Sequence, residues 1–200
     1  MSCVIHLQRY SYMGVLVDIC RFIQYGDLPT SYFTKRGMKV GKNFCRQSGT
    51  RLDPSHCWLI SIGDDVTLAN KVQILAHDDS IRVYTGYGKI GPVRIGSRVF
   101  VGANSTILMN TTIGDDVIIG AGSVVTKDIP DNCVVAGVPA KIIGKTSEYI
   151  QKNKLRMNDH TMFDKSYSYW DNVSNEKKEI LRKHFDSNVD AFLELGIYRE

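Results

Sequence analysis

Two hundred residues, 43% hydrophobic and 23% charged, suit one globular domain or one domain with a small appendage. The net charge of +4 is mild and forms no Lys/Arg blocks, which argues against nucleic acid or an anionic membrane surface as partner and leaves a phosphorylated small molecule. The five cysteines (Cys3, Cys20, Cys45, Cys57, Cys133) form no C-x-x-C pair, so we expect neither a disulfide framework nor a zinc cage, and a reduced, cytoplasmic setting.

Along the chain, Tyr12, Leu16, Ile19 and Ile23 recur at i, i+4, i+7 and i+11, which predicts an amphipathic helix. The apolar stretch around it, Met13 to Ile23, carries Asp18 and Arg21 and is too short to span a bilayer or to serve as a secretory core, so no membrane segment or targeting signal is expected. A different period then takes over. Ile62-Gly63, Leu68 and Ile74 are spaced by six, with Val66 and Val72 in a second column. From Asp78 to Lys89 the pattern fails and Asp, Ser, Tyr and Gly replace it, which predicts a loop over 78–91 extruded from a corner. The register resumes as Ile95, Val101, Ile107, Ile113, Ile119 and Val125, and the second column reads Val99, Ser105, Thr111, Val117, Ser123 and Ile129.

Period six fits neither a helix nor the alternation of a half-buried strand. It describes a triangular prism in which each hexad is a short strand plus a corner and three hexads make one coil. Gly63-Asp64-Asp65, Ala103-Asn104 and Gly114-Asp115-Asp116 supply corner chemistry, and Pro130 and Pro139 are expected at turns where the coil ends. Handedness does not follow from these residues. Beyond Gly144 the chain becomes charged and aromatic, with a helix predicted over Asn175 to Phe185 in which Glu179 and Lys183 can pair at i, i+4. The predicted organisation is an N-terminal helical cap (1–36), an all-β parallel β-helix of hexapeptide repeats (37–145), and a helical C-terminal tail (146–200).

The stretch IGSRVFVGANSTILMNTTIGDDVIIGAGSVVTKDIPDNCVVAGVPAKIIG, Ile95 to Gly144, closely resembles the C-terminal half of hexapeptide-repeat acetyltransferases, and GAGSVVTKDIP followed by AGVPAKIIG is similar to the coenzyme A end of the maltose/galactoside, serine and xenobiotic group. RGMKVGKN (36–43) and LISIGDDVTLANKVQILAHDDS (59–80) resemble bacterial capsule and O-antigen polysaccharide O-acetyltransferases. The resemblance implies a left-handed coil, a homotrimer with a site in each groove between subunits, acetyl-CoA as donor and a sugar acceptor.

Acetyl transfer from a thioester to a hydroxyl needs a base for the hydroxyl proton and a donor for the oxyanion. His77 ends the last regular hexad before the loop, at a prism corner, with an intrinsic pKa near working pH. The family's catalytic histidine occupies this place; taken alone, His77 reads equally well as a polar corner residue. Asp78, Asp79 or a backbone carbonyl could orient the ring. The resemblance maps the oxyanion amide onto Gly102-Ala103, and Phe100 onto an aromatic against the pantetheine arm, although Phe100 also suits a subunit interface. For the coenzyme phosphates the candidates are Lys127, Lys141 and Lys145, with Thr126 and the amides near Ala121. Arg82, Tyr84 and Tyr87 on the loop could meet a sugar or pack on a neighbouring subunit.

Four other readings compete. A γ-class carbonic anhydrase shares the fold but needs three histidine ligands, and only His56 and His77 lie near the prism, so no metal is expected. A non-catalytic scaffold would need neither the corner histidine nor the coenzyme A-type end. Among acetyltransferases, N-acetylation of an amino-sugar nucleotide and acetylation of an antibiotic stand beside O-acetylation of a polysaccharide.

Overall fold

The computed structural model describes residues 26–168, 173–188 and 190–195; the helix predicted at Tyr12 to Ile23 lies outside them. The chain divides into two compact units, the first ending at Thr146.

The first unit is the prism. Its strands form three parallel ladders, one per face. The first face stacks Lys39–Val40, Ile60–Ile62, Val93–Ile95 and Thr111–Ile113. The second stacks Cys45–Arg46, Thr67–Leu68, Phe100–Val101, Ile118–Ile119 and Cys133–Ala136, and the third Arg51–Leu52, Gln73–Ile74, Thr106–Ile107 and Val124–Val125. Ile62, Leu68, Ile74, Ile95, Val101, Ile107, Ile113, Ile119 and Val125 are buried, as are Val66, Val72, Val99 and Val117 of the second column. The hydroxyls in that column are satisfied at home: Ser105 and Ser123 donate to the Gly120 carbonyl at 3.0 and 2.6 Å, and Thr111 to that of Leu108 at 2.6 Å. Phe33 and Met38, ahead of the first coil, are buried in the same core.

Corners divide the labour between glycine and its followers. At one edge the left-handed residue is the second one after the glycine, Asp65 and Asp116 at φ 57°. The glycine serves close stacking instead, since a Cβ on Gly63 would lie 2.7 Å from the carbonyl carbon of Gly96 in the next coil. The aspartates between them join coils: Asp64 accepts from the Lys42 amide, Asp115 from Ser97 and Asp131 from Asp115, at 2.7, 2.7 and 2.8 Å.

Register departs from the sequence expectation at Ile129, which bridges Ile113 and so belongs to the first column rather than the second. Two residues are missing from the corner before it. The coil closes as Cys133–Ala136 turns through Pro139 into the antiparallel strand Lys141–Lys145. Cys45 is disulfide-bonded, which corrects the expectation of no disulfide. Cys57 and Cys133 are free and buried.

In the second unit, helix Thr146–Asp159 leads to a parallel pair, Met162–Phe163 with Phe192–Leu193, and to helix Asn175–Phe185. Ser174 caps the latter, accepting from the Lys177 amide at 3.2 Å. Glu179 pairs with Arg182 one turn on, rather than with Lys183. No helix among the described residues is long and apolar enough to cross a membrane.

Because the inner column is sealed on every side, Ile107→Ala is expected to cost about 2–5 kcal/mol, read as a lower denaturant midpoint.

Candidate functional site

The coil repeats with unequal steps. Val40 stands opposite Ile62, Ile62 opposite Ile95, Ile95 opposite Ile113 and Ile113 opposite Ile129, steps of 22, 33, 18 and 16 residues. Three hexads make 18. Every surplus or deficit falls on the edge where the chain passes from the third face to the first: after Leu52, after Ile74 and after Val125. That edge is where the candidate chemistry collects.

The first insertion holds Asp53, which is 2% exposed and accepts four hydrogen bonds. Its Oδ1 takes the amides of Ser55 and His56 at 2.9 and 3.1 Å, and its Oδ2 takes that of Ala76 at 2.9 Å. The same Oδ2 lies 2.5 Å from His77 Nδ1. Burial pushes the Asp53 carboxyl up, but the hydrogen bonds from His77 and the three amides outweigh it and hold the carboxyl below its ordinary value. An ionised Asp53 fixes the proton of neutral His77 on Nδ1 and leaves the Nε2 lone pair free. The hydrogen bond to Asp53 also raises His77 above its ordinary 6.5, against the opposing effect of partial burial. The His77 side chain is one-third exposed, so the ring opens to solvent.

Asp78 does not orient the ring. His77–Asp78 pairs antiparallel with Lys89–Ile90, so the predicted loop is a hairpin arm, and Asp78 faces Lys89 Nζ at 2.6 Å. Lys89, with the Ser80 amide, holds its carboxyl well below the usual carboxylate range. Asp79 faces Arg82 at 3.8 Å. At the arm's tip, helix Arg82–Thr85 and the residues after it leave Arg82, Tyr84 and Tyr87 exposed.

Two side chains to which sequence reasoning gave no role in acetyl transfer pack beside this corner. His56, from the first insertion, lies with its ring centroid 5.3 Å from that of His77 and 5.3 Å from that of Trp58. Trp58 is 51% exposed. Asp53 was hidden because 24 residues separate it from His77; the signal available was the D-P-S-H break in the hexad pattern.

The remaining candidates lie on two edges. Thr126 and Lys127 share the edge of His77, two coils on, about 10 Å away at the spacing of stacked strands. Gly102, Ala103 and Ala121 lie on the edge between the second and third faces. The Gly102 amide is committed to the Ile119 carbonyl at 2.8 Å, whereas that of Ala103 has no partner among the described residues. Phe100 points outward from the second face, and Lys141 and Lys145 are exposed on the closing strand. No hydrogen bond, ion pair or ring contact among the described residues joins these groups to His77.

The profile of the family "Hexapeptide repeat of succinyl-transferase" matches residues 92–127. A Bacillus subtilis protein with the provisional name acetyltransferase YvoF is 35% identical over 141 residues, covering 70% of this chain and 80% of that one. An Escherichia coli K12 protein provisionally named lipopolysaccharide biosynthesis O-acetyl transferase WbbJ is 42% identical over 168 residues, covering 68% and 83%. Among solved structures, a galactoside acetyltransferase in complex with coenzyme A is similar at 26% identity and a TM-score of 0.49, covering 68% of this chain and 82% of that one.

The dyad makes a direct prediction. In an NMR titration the His77 ring loses its proton above the ordinary 6.5, and in Asp53→Asn its midpoint falls, because the carboxylate that favours the cation is gone.

Proposed function

The chain belongs to the hexapeptide-repeat acetyltransferases, and we propose that it carries the acetyl group of acetyl-CoA to a sugar hydroxyl, in the making of a cell-surface polysaccharide or its precursor. The observation that carries this reading is the Asp53–His77 dyad at an open corner. The acetyl donor rests on the family. The acceptor class rests on the printed name of the E. coli relative.

In the proposed reaction, His77 Nε2 takes the proton of the acceptor hydroxyl as its oxygen attacks the thioester carbon. Asp53 stays ionised and stabilises the imidazolium that forms. The carbonyl oxygen gains the negative charge and meets the Ala103 amide. Collapse breaks the C–S bond, and the leaving thiolate takes the proton back from the imidazolium. Phe100 would cover the pantetheine arm. Thr126, Lys127, Lys141, Lys145 and the amides near Ala121 would meet the rest of the coenzyme, and Arg82, Tyr84 and Tyr87 on the arm would meet the sugar.

We read the coil as left-handed and the assembly as a homotrimer, as the family resemblance implies. Physical support for a multimer comes from the two edges. One hexad of the third face separates them, about 15–20 Å at strand rise, too far for one amide and one imidazole to act on the same carbonyl carbon. A second copy set edge to edge supplies the missing half of each site and makes a closed cyclic assembly. A cytoplasmic location goes with the donor.

His77→Ala is expected to lower kcat/KM for the sugar acceptor by about 10²–10⁴-fold, measured by mass-spectrometric acceptor profiling with acetyl-CoA. Failure of wild type to acetylate any sugar, nucleotide sugar or surface oligosaccharide would sink the reading. The pH profile carries a sign of its own. The base works when neutral, so the rate rises with pH through the raised His77 midpoint; Asp53→Asn moves that rise to lower pH while depressing the plateau.

A further inference from the structure

Asp53, His56 and His77 each present a ligand atom, and the three atoms lie within 4.8 Å of one another. His56 Nδ1 is buried and has no hydrogen-bond partner. A buried ring nitrogen without a partner is costly unless something it binds repays the burial. Two imidazoles and a carboxylate with an open fourth position are the donor set that suits Zn²⁺ and its neighbours in the transition series. We propose that this corner is an inhibitory site for a divalent transition metal, Zn²⁺ best, held by Asp53, His56 and His77.

The chemistry follows from the tautomer. The metal takes the place of the proton between Asp53 Oδ2 and His77 Nδ1, two atoms now 2.5 Å apart that must open to about 3.4 Å to share a tetrahedral ion. His56 brings the third bond through a ring nitrogen. With Nδ1 bonded to the metal, the ring's one proton moves to Nε2. The lone pair that would take the acceptor proton is then gone. The metal is thus no cofactor but a competitor for the base. The inhibitory consequence rests on the function proposed above, while the metal site itself does not.

Two measurements on the full chain separate these. Isothermal titration with ZnCl₂ is expected to show one ion per chain, and CoCl₂ to give the visible absorption of four-coordinate Co²⁺. His56→Phe keeps an aromatic ring between Trp58 and His77 and is expected to weaken Zn²⁺ binding at least about tenfold, with metal-free acetyl transfer little changed; His56→Asn serves where the bulkier ring disturbs folding. In wild type, Zn²⁺ stops acetyl transfer and EDTA restores it, whereas the His56 variants need at least about tenfold more Zn²⁺. Zn²⁺ binding that is equally tight in wild type and both variants, or no binding in wild type, overturns the site. Binding by wild type in a protein that acetylates nothing leaves the site standing and removes the function.

Discussion

Stacking of one coil on the next governs this molecule. Each strand of two or three residues is far too short to be stable alone, and its amides and carbonyls are satisfied by the coils above and below. Such a ladder tolerates no drift along a face, since a slip of one residue would turn the buried column outward. Insertions and deletions therefore survive at corners. Among the described residues of the prism all of them lie on one edge, at Asp53 to Leu59, at His77 to Pro92 and at Thr126 to Asp128. The regular edges keep the prism closed, and the irregular edge is free to carry chemistry.

What was legible in the sequence was what the ladder repeats. The inner columns from Ile62 to Val125 could be read directly because burial selects the same residue type every six positions. Ile129 could not. A two-residue deficit moves an aliphatic residue from one column to the other without changing its character. The candidate base was legible as a histidine at the last corner before the pattern broke. Its partner was not, because nearness in a coil is set by stacking: Asp53 lies one coil away from His77 through space and 24 residues away along the chain. Asp78, its neighbour in sequence, is turned by the hairpin towards Lys89.

Asp53 shows how the fold pays for a buried charge. An isolated carboxylate in this interior would take up a proton. Three backbone amides and one imidazole keep it ionised. Two of those amides come from its own turn, and that of Ala76 comes from the next coil. The carboxylate therefore ties two coils together at the point where both depart from the repeat. The same bonds fix its angle, so the ring of His77 is aimed by a group that cannot rotate away.

This rigidity has a consequence for the proposed reaction. Asp78 and Asp79 lie instead on the exposed hairpin arm, where their partners are Lys89 and Arg82. Seating the acid in the core separates two demands: the prism fixes the base, and the arm can vary to meet an acceptor without disturbing it. In the proposed reaction, acceptor choice would belong to Arg82, Tyr84 and Tyr87, and proton transfer to the coil. Substitutions of Arg82, Tyr84 or Tyr87 should then alter which sugar is used while leaving the Asp53–His77 hydrogen bond, the largest cause of the raised His77 titration, in place.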